Sequence, residues 1–114
     1  MIGNYDAIVA SVERNPGVLG AMLVGIDDGM LIAGTASGES WAAAAALASS
    51  LFRRTRKAAA EAGLGEATFV RLEADRGHVC ATAKDDFVLV AVSAHGINLG
   101  KLRLEMISAM EELC

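Results

Sequence analysis

The chain is short of aromatic residues, cysteine and proline. Aromatic residues make up 4% of its 114 residues, and it contains two cysteines and one proline. Cys80 and Cys114 are too few and too irregularly placed for a disulfide framework or a paired-cysteine metal site, so we expect reduced thiols and a cytoplasmic location. The N-terminal residues lack the basic flank and apolar run of a signal peptide, which agrees with that location.

Basic charge and long apolar runs are also lacking. Ten Lys and Arg residues against 14 Asp and Glu residues give a formal net charge of −4. That sign argues against a protein that binds nucleic acid by neutralising phosphates. The longest apolar runs, such as residues 41–48 and 87–92, fall well short of the ~18 to 20 residues that span a bilayer, so no membrane insertion is expected.

Apolar residues are abundant, and most of them are aliphatic. They make up 54% of the chain, against 21% charged residues, and the mean hydropathy is +0.41. A chain of this composition folds around a core, and its length fits one domain over residues 1–114. A monomer of this size has little interior in which to bury so much apolar surface, which favours self-association.

The spacing of apolar residues predicts an α+β fold with the element order αββαβββα. The predicted helices cover residues 4–14, 41–62 and 98–113, and the predicted strands cover residues 18–26, 30–36, 66–75, 78–84 and 87–95. Asp27, Asp28 and Gly29 are typical of a hairpin turn between the first two strands. Because the first strand is apolar at both odd and even positions, helices must cover both faces of the sheet.

The long central helix has no polar face in its first half. One stripe of the helix is assigned to the sheet, and it consists of Ala44, Leu47, Ala48, Leu51 and Thr55. Trp41, Ala45 and Phe52 then lie largely away from the sheet and need another cover. The alternative is that the alanines are there only because alanine favours helices, but this does not account for Trp41 and Phe52.

A homodimer supplies that cover. Small alanine side chains let a second helix approach closely, and the strand over residues 66–75 has unpaired backbone groups if it lies at the margin of the sheet. The predicted dimer interface consists of Trp41, Ala45, Ala48, Phe52 and Val70.

A basic cluster follows the apolar half of the long helix. It consists of Arg53, Arg54, Arg56 and Lys57 and is the only dense basic patch of the chain. One interpretation is a solvated helix end, where cations interact favourably with the helix dipole. The other is a binding site for an acidic surface of a partner protein, and we take these four residues as the candidate partner-binding site.

No arrangement of residues typical of catalysis is complete. His78 and Cys80 are two apart in a strand and share a face, but no third group completes a nucleophilic or zinc site. Residues 96–102 resemble a phosphate-binding loop only superficially, because the spacing is one residue short and Leu102 stands where Ser or Thr is needed. We therefore predict no enzyme, no cofactor and no metal.

The order and spacing of several short motifs resemble the roadblock or dynein light chain domain family. These motifs are Pro16 to Ala21 leading into a strand, Asp28-Gly29 followed by Leu31 to Ala33, the alanine-rich helix, and Asn98-Leu99-Gly100. The resemblance implies a five-stranded antiparallel sheet between one long helix and the two terminal helices, a profilin-like or longin-like layering. It also implies edge-to-edge homodimerisation and a platform that contacts a Ras-like small GTPase, without a nucleotide-hydrolysis site of its own.

Three functions remain open at this stage. The preferred hypothesis is a homodimeric regulatory binding module that engages a Ras-like small GTPase and modulates its nucleotide cycle. The alternative is a structural adaptor in a polarity, motility or transport complex that leaves hydrolysis unaffected. A small-molecule sensing domain on the same layered fold is the third hypothesis, because fold alone does not decide function.

Overall fold

Five antiparallel strands form one sheet in the computed structural model, which describes residues 4–34 and 39–113. The helices are α1 (Asn4–Glu13), α2 (Glu39–Glu61) and α3 (Leu99–Glu111). The strands are β1 (Val18–Gly25), β2 (Leu31–Gly34), β3 (Val70–Ala74), β4 (Gly77–Lys84) and β5 (Phe87–Ala94). The strands lie in the order β2-β1-β5-β4-β3. The predicted element order and the five-stranded antiparallel sheet are confirmed.

Two separate apolar cores lie on the two faces of the sheet. Ala21 and Leu23 of β1 point into the core formed with α1 and α3, whereas Met22 and Val24 point into the core beneath α2. Successive side chains of a strand alternate between faces, so a strand buried on both faces is apolar throughout. This confirms the expectation that helices cover both sides of the sheet.

Two asparagines and a glycine stabilise the start of α3 and the end of α1. The Asn98 side chain caps α3 by accepting a hydrogen bond from the backbone N–H of Lys101 at 3.1 Å. The Asn15 side chain donates to the carbonyl oxygen of Val12 at 3.0 Å, at the end of α1. Gly17 then turns the chain into β1 with φ of 91°, a conformation that glycine adopts without steric cost.

Each predicted strand differs from the observed one by at least one residue, and the largest difference is at the start of β3. β3 begins at Val70 rather than at residue 66, because its pairing with β4 starts where Val70 faces Ala81. One residue further along β4, the Thr82 hydroxyl donates to the carbonyl oxygen of Thr68 at 2.7 Å. β2 begins at Leu31, one residue later than predicted. Residues 35 and 36, the last two predicted for this strand, lie outside the described residues.

Candidate interaction surface

Helix α2 is rotated about its own axis relative to the predicted orientation, so different residues face the sheet. Phe52, Ala45 and Ala48 are buried against β1, β4 and β5, with Phe52 fully enclosed. Trp41 is half-buried and packs against the same core. The assignment of Trp41, Ala45 and Phe52 to the far side of the helix is therefore wrong, and these residues contribute to the protomer's own core.

Gly20 in β1 explains why this side of α2 faces the sheet. A Cβ atom at Gly20 would lie 2.6 Å from Cη2 of Trp41, so the indole occupies the space that the missing side chain leaves. The largest apolar groups of α2 contact the sheet because it offers them room there, and burial of large aromatic surface dominates the choice of face. Leu47, which the prediction placed on the sheet, is 62% exposed.

The hydrogen bonds of Arg53 show which side of α2 faces the β2 edge of the sheet and which side faces the β3 edge. Its Nη1 donates to the carbonyl oxygens of Ile26 and Asp27, the second at 3.1 Å, next to the turn that leads to the edge strand β2. With 3.6 residues per turn, Leu51 lies about 200° around the helix from Arg53 and hence on the flank toward β3. Leu51 is half-buried there, and Leu47 is one turn before it.

The four residues of the basic cluster do not lie together. Arg53 is held at the β1–β2 turn, and the Arg56 guanidinium lies 5.5 Å from the centre of the Phe52 ring. Arg54 and Lys57 are exposed. Helix geometry places these two on the outer side of α2, about one turn apart and following Leu47 and Ser50. Contacts within the protomer thus hold the guanidinium groups of Arg53 and Arg56, although Arg53 is exposed, as are Arg54 and Lys57.

β3 is an edge of the sheet that pairs with β4 and, within the part of the chain that the structure describes, with no other strand. Val70 packs half-buried against the core beneath α2, and Leu72 on the same face is 40% exposed. On the opposite face, Nη2 of Arg71 lies 3.7 Å from Oε1 of Glu73. The prediction of Val70 at a sheet edge agrees with this placement.

Arg71 and Glu73 are not among the predicted site residues. Both lie on the more polar face of a strand at the edge of the sheet, and their opposite charges two residues apart are the pattern in the sequence that could have identified them. Nε2 of His95 lies 3.7 Å from Oε2 of Glu73, so a third ionisable group adjoins the pair.

His78 and Cys80 share a face, as predicted, and both are buried. Nε2 of His78 lies 3.2 Å from the carbonyl oxygen of His95. Burial raises the pKa of the Cys80 thiol, with Arg71 opposing weakly, so the thiol stays protonated at neutral pH. A buried, protonated thiol is a poor nucleophile.

Residues 4–34 and 39–113 contain no group of three or more His, Cys, Asp or Glu side chains that could hold a metal ion. None of the helices over the same residues is long and apolar enough to cross a bilayer.

A sequence model of the Roadblock/LC7 domain matches residues 5–94. The chain belongs to the Roadblock/LC7 domain family. The "Uncharacterized protein MJ1340" of Methanocaldococcus jannaschii is 29% identical to this domain over 109 residues, which are 95% of each chain.

Solved structures agree with the fold of this Roadblock/LC7 domain. A Roadblock/LC7 domain from Streptomyces avermitilis superposes with a TM-score of 0.85 at 22% identity, covering 95% of this chain and 92% of that one. MglB of Myxococcus xanthus does so with a TM-score of 0.85 at 20% identity, covering 98% and 93%. At these identities the likeness concerns the fold alone.

Profilin IA of Acanthamoeba castellanii shares the layering of this Roadblock/LC7 domain. It superposes with a TM-score of 0.51 at 21% identity and covers 96% of this chain and 90% of its own. The predicted profilin-like arrangement of helices on both faces of the sheet is thereby confirmed.

Proposed function

We propose that this Roadblock/LC7 domain is a homodimeric binding module that engages a Ras-like small GTPase and regulates its nucleotide cycle without donating a catalytic residue. The observation that carries the proposal is the outer side of α2, where the exposed Leu47 is followed by the exposed Arg54 and Lys57. An apolar centre beside a charged rim is the usual composition of a protein interface. Membership of the Roadblock/LC7 family supports the class of the partner, because the sequence resemblance to this family implies contact with a Ras-like small GTPase.

The proposed dimer joins the protomers at β3 and along the adjoining flank of α2. Val70 remains in the interface because it lies on the free edge. Leu47 and Leu51 take the place of the residues that α2 buries in its own protomer, which are Trp41, Ala45, Ala48 and Phe52. The two copies of α2 then lie side by side and form a platform with the basic residues facing outward.

Arg54 and Lys57 are the proposed contacts with an acidic surface of the GTPase. Their side chains are exposed. Arg53 is exposed as well, but its guanidinium donates to the carbonyl oxygen of Asp27 at the β1–β2 turn, and the half-buried Arg56 lies over Phe52. Exposed charges at an interface act mainly on the rate of association, and salt screens them over ~8 to 10 Å. The first partner to test is a Ras-like GTPase with an intact phosphate-binding loop, to be sought first among the products of the genes that neighbour the gene of this chain.

The test compares association kinetics of the wild type and the double variant Arg54→Glu/Lys57→Glu with that GTPase. We expect association to be about tenfold slower for the variant at low salt, with the difference shrinking at high salt. The matched control is Arg14→Glu/Lys101→Glu, which makes the same change in net charge at exposed positions outside α2. Equal association rates for both double variants and the wild type would contradict the proposed surface.

GTP turnover in the same mixtures separates regulation from adaptor function. A dimer that orders switch segments of the GTPase changes the turnover rate, and the change is lost with Arg54→Glu/Lys57→Glu. Tight binding with unchanged turnover would instead indicate a structural adaptor.

A further inference from the structure

The free edge of β3 carries opposite charges in a self-complementary order. On one face the strand presents Val70, Leu72 and Ala74, and on the other it presents Arg71 and Glu73. The side chains of Arg71 and Glu73 are 45% and 55% exposed, so both are accessible to a second strand. Because one charge lies on each side of Leu72, a half-turn about Leu72 exchanges their positions.

Symmetry limits the ways in which two copies of β3 can pair. A two-fold axis normal to the sheet runs the two strands antiparallel and keeps both copies of α2 on one side. Residues directly opposite each other in an antiparallel pair have side chains on the same face. The pairing must therefore be centred on a residue, since centring it between two residues would oppose side chains from different faces.

Charge distinguishes the remaining registers. Centring on Arg71 opposes the two copies of Arg71, and centring on Glu73 opposes the two copies of Glu73. Centring on Ala74 opposes Glu73 to the partner's Asp75, and centring on Val70 opposes Arg71 to the partner's Phe69. Centring on Leu72 opposes Arg71 to the partner's Glu73 twice over, and on the other face it opposes the two copies of Leu72.

We propose that a second copy of this chain docks on β3 in the register centred on Leu72, with reciprocal ion pairs between Arg71 and the partner's Glu73. The inference rests on the proposed homodimer and specifies which residues select the partner. Each Arg71 then adjoins its own Glu73 and the partner's Glu73, so the four charges alternate in sign around the axis. On the α2 face, Val70 lies opposite the partner's Ala74 and extends the apolar surface across the junction.

Charge reversal tests the register through partner choice. Arg71→Glu makes an edge with two acids and Glu73→Arg an edge with two bases, so each single variant opposes like charges twice in a homodimer. We expect each to weaken self-association by about tenfold or more, and the two variants mixed together to form a heterodimer. The double variant Arg71→Glu/Glu73→Arg restores both pairs within one chain and is expected to dimerise like the wild type.

Cross-linking tests the same register without relying on charge. In a Cys114→Ser background, Leu72→Cys places two cysteines directly opposite each other at the axis, within the Cα separation of ~4.4 to 6.8 Å that a disulfide needs. We expect this variant to form an intermolecular disulfide under mild oxidation. Ala74→Cys on the same face is the control, because its two copies lie four residues apart across the junction and should not cross-link.

The outcomes separate this inference from the proposed function. A wild type that is monomeric by light scattering overturns the homodimer itself. A dimeric wild type whose mass is unchanged by either single reversal, or which cross-links through Ala74→Cys rather than Leu72→Cys, overturns the register alone. Arg14→Glu controls for net charge, and circular dichroism of each variant controls for folding.

Discussion

Gly20 lies under the Trp41 indole, and its missing side chain is what allows α2 to sit on the sheet in the observed orientation. The contact joins β1 to the first turn of α2, a helix that is otherwise rich in alanine. A single methyl group at this point would compete with the largest side chain of α2 for the same space.

We predict that Gly20→Ala displaces the Trp41 indole toward solvent and lowers the free energy of unfolding by about 1 kcal/mol. Trp41 is the one tryptophan of the chain, so its fluorescence emission reports its environment directly and should shift to longer wavelength. Gly96→Ala is the control, because a Cβ there meets no atom within 4 Å. An unchanged emission spectrum in Gly20→Ala would show that the indole does not occupy this site.

Helix α2 shows where inference from the sequence fails at the scale of an element. Its extent was predicted to within a few residues, but its rotation was not. Alanine contributes nearly equally on every side of a helix, so the first half gives no polar face from which to orient it. The absence of a side chain at Gly20 was the information that could have oriented Trp41, and it only acquires meaning once β1 and α2 are adjacent.

The strands were easier to predict than the orientation of α2. β1, β4 and β5 lie at the centre of the sheet, and their runs of β-branched and small apolar residues indicate burial on both faces. β3 was predicted too long because the alternating pattern of residues 66–69 continues where hydrogen bonding to β4 has stopped. The division of the basic cluster depends on tertiary contacts of Arg53 and Arg56, which no local pattern contains.

Because of the orientation of α2, substitutions of two of its apolar residues should affect the free energy of unfolding in different ways. Phe52→Ala is expected to lower the free energy of unfolding by about 3 to 5 kcal/mol at every protein concentration, because it removes a ring enclosed in the protomer. Leu47→Ala should have an effect only where dimers form, and the effect should vanish on dilution. Urea unfolding over a range of protein concentrations measures both. A similar, concentration-independent loss for both variants would contradict the observed rotation of the helix.

At the scale of the whole molecule, large apolar side chains remain exposed on α2 and at the β3 edge. Leu47 is 62% exposed and Leu72 is 40% exposed. Exposed apolar groups that lie on one side of a protein mark an interaction surface.

We predict a homodimer in solution, with a mass about twice the 11.8 kDa of one chain. Light scattering coupled to gel filtration at micromolar concentration measures it. Leu47→Asp is expected to shift the population toward monomer, since it places a charge in an apolar contact, and its circular dichroism should match that of the wild type. A wild-type mass of one chain across the micromolar range would contradict the prediction.

The exposed apolar residues of β2 are where such an assembly would grow further. Once β3 is paired, both outer margins of the joined sheet are copies of β2, and symmetry makes them equivalent, so whatever adds to one end can add to the other. Leu31 and Ile32 are exposed there, which is the composition that promotes growth of fibres from a sheet edge. A pair that is closed at β3 therefore still has two equivalent ends, and strand addition at β2 would turn it into the repeating unit of a filament.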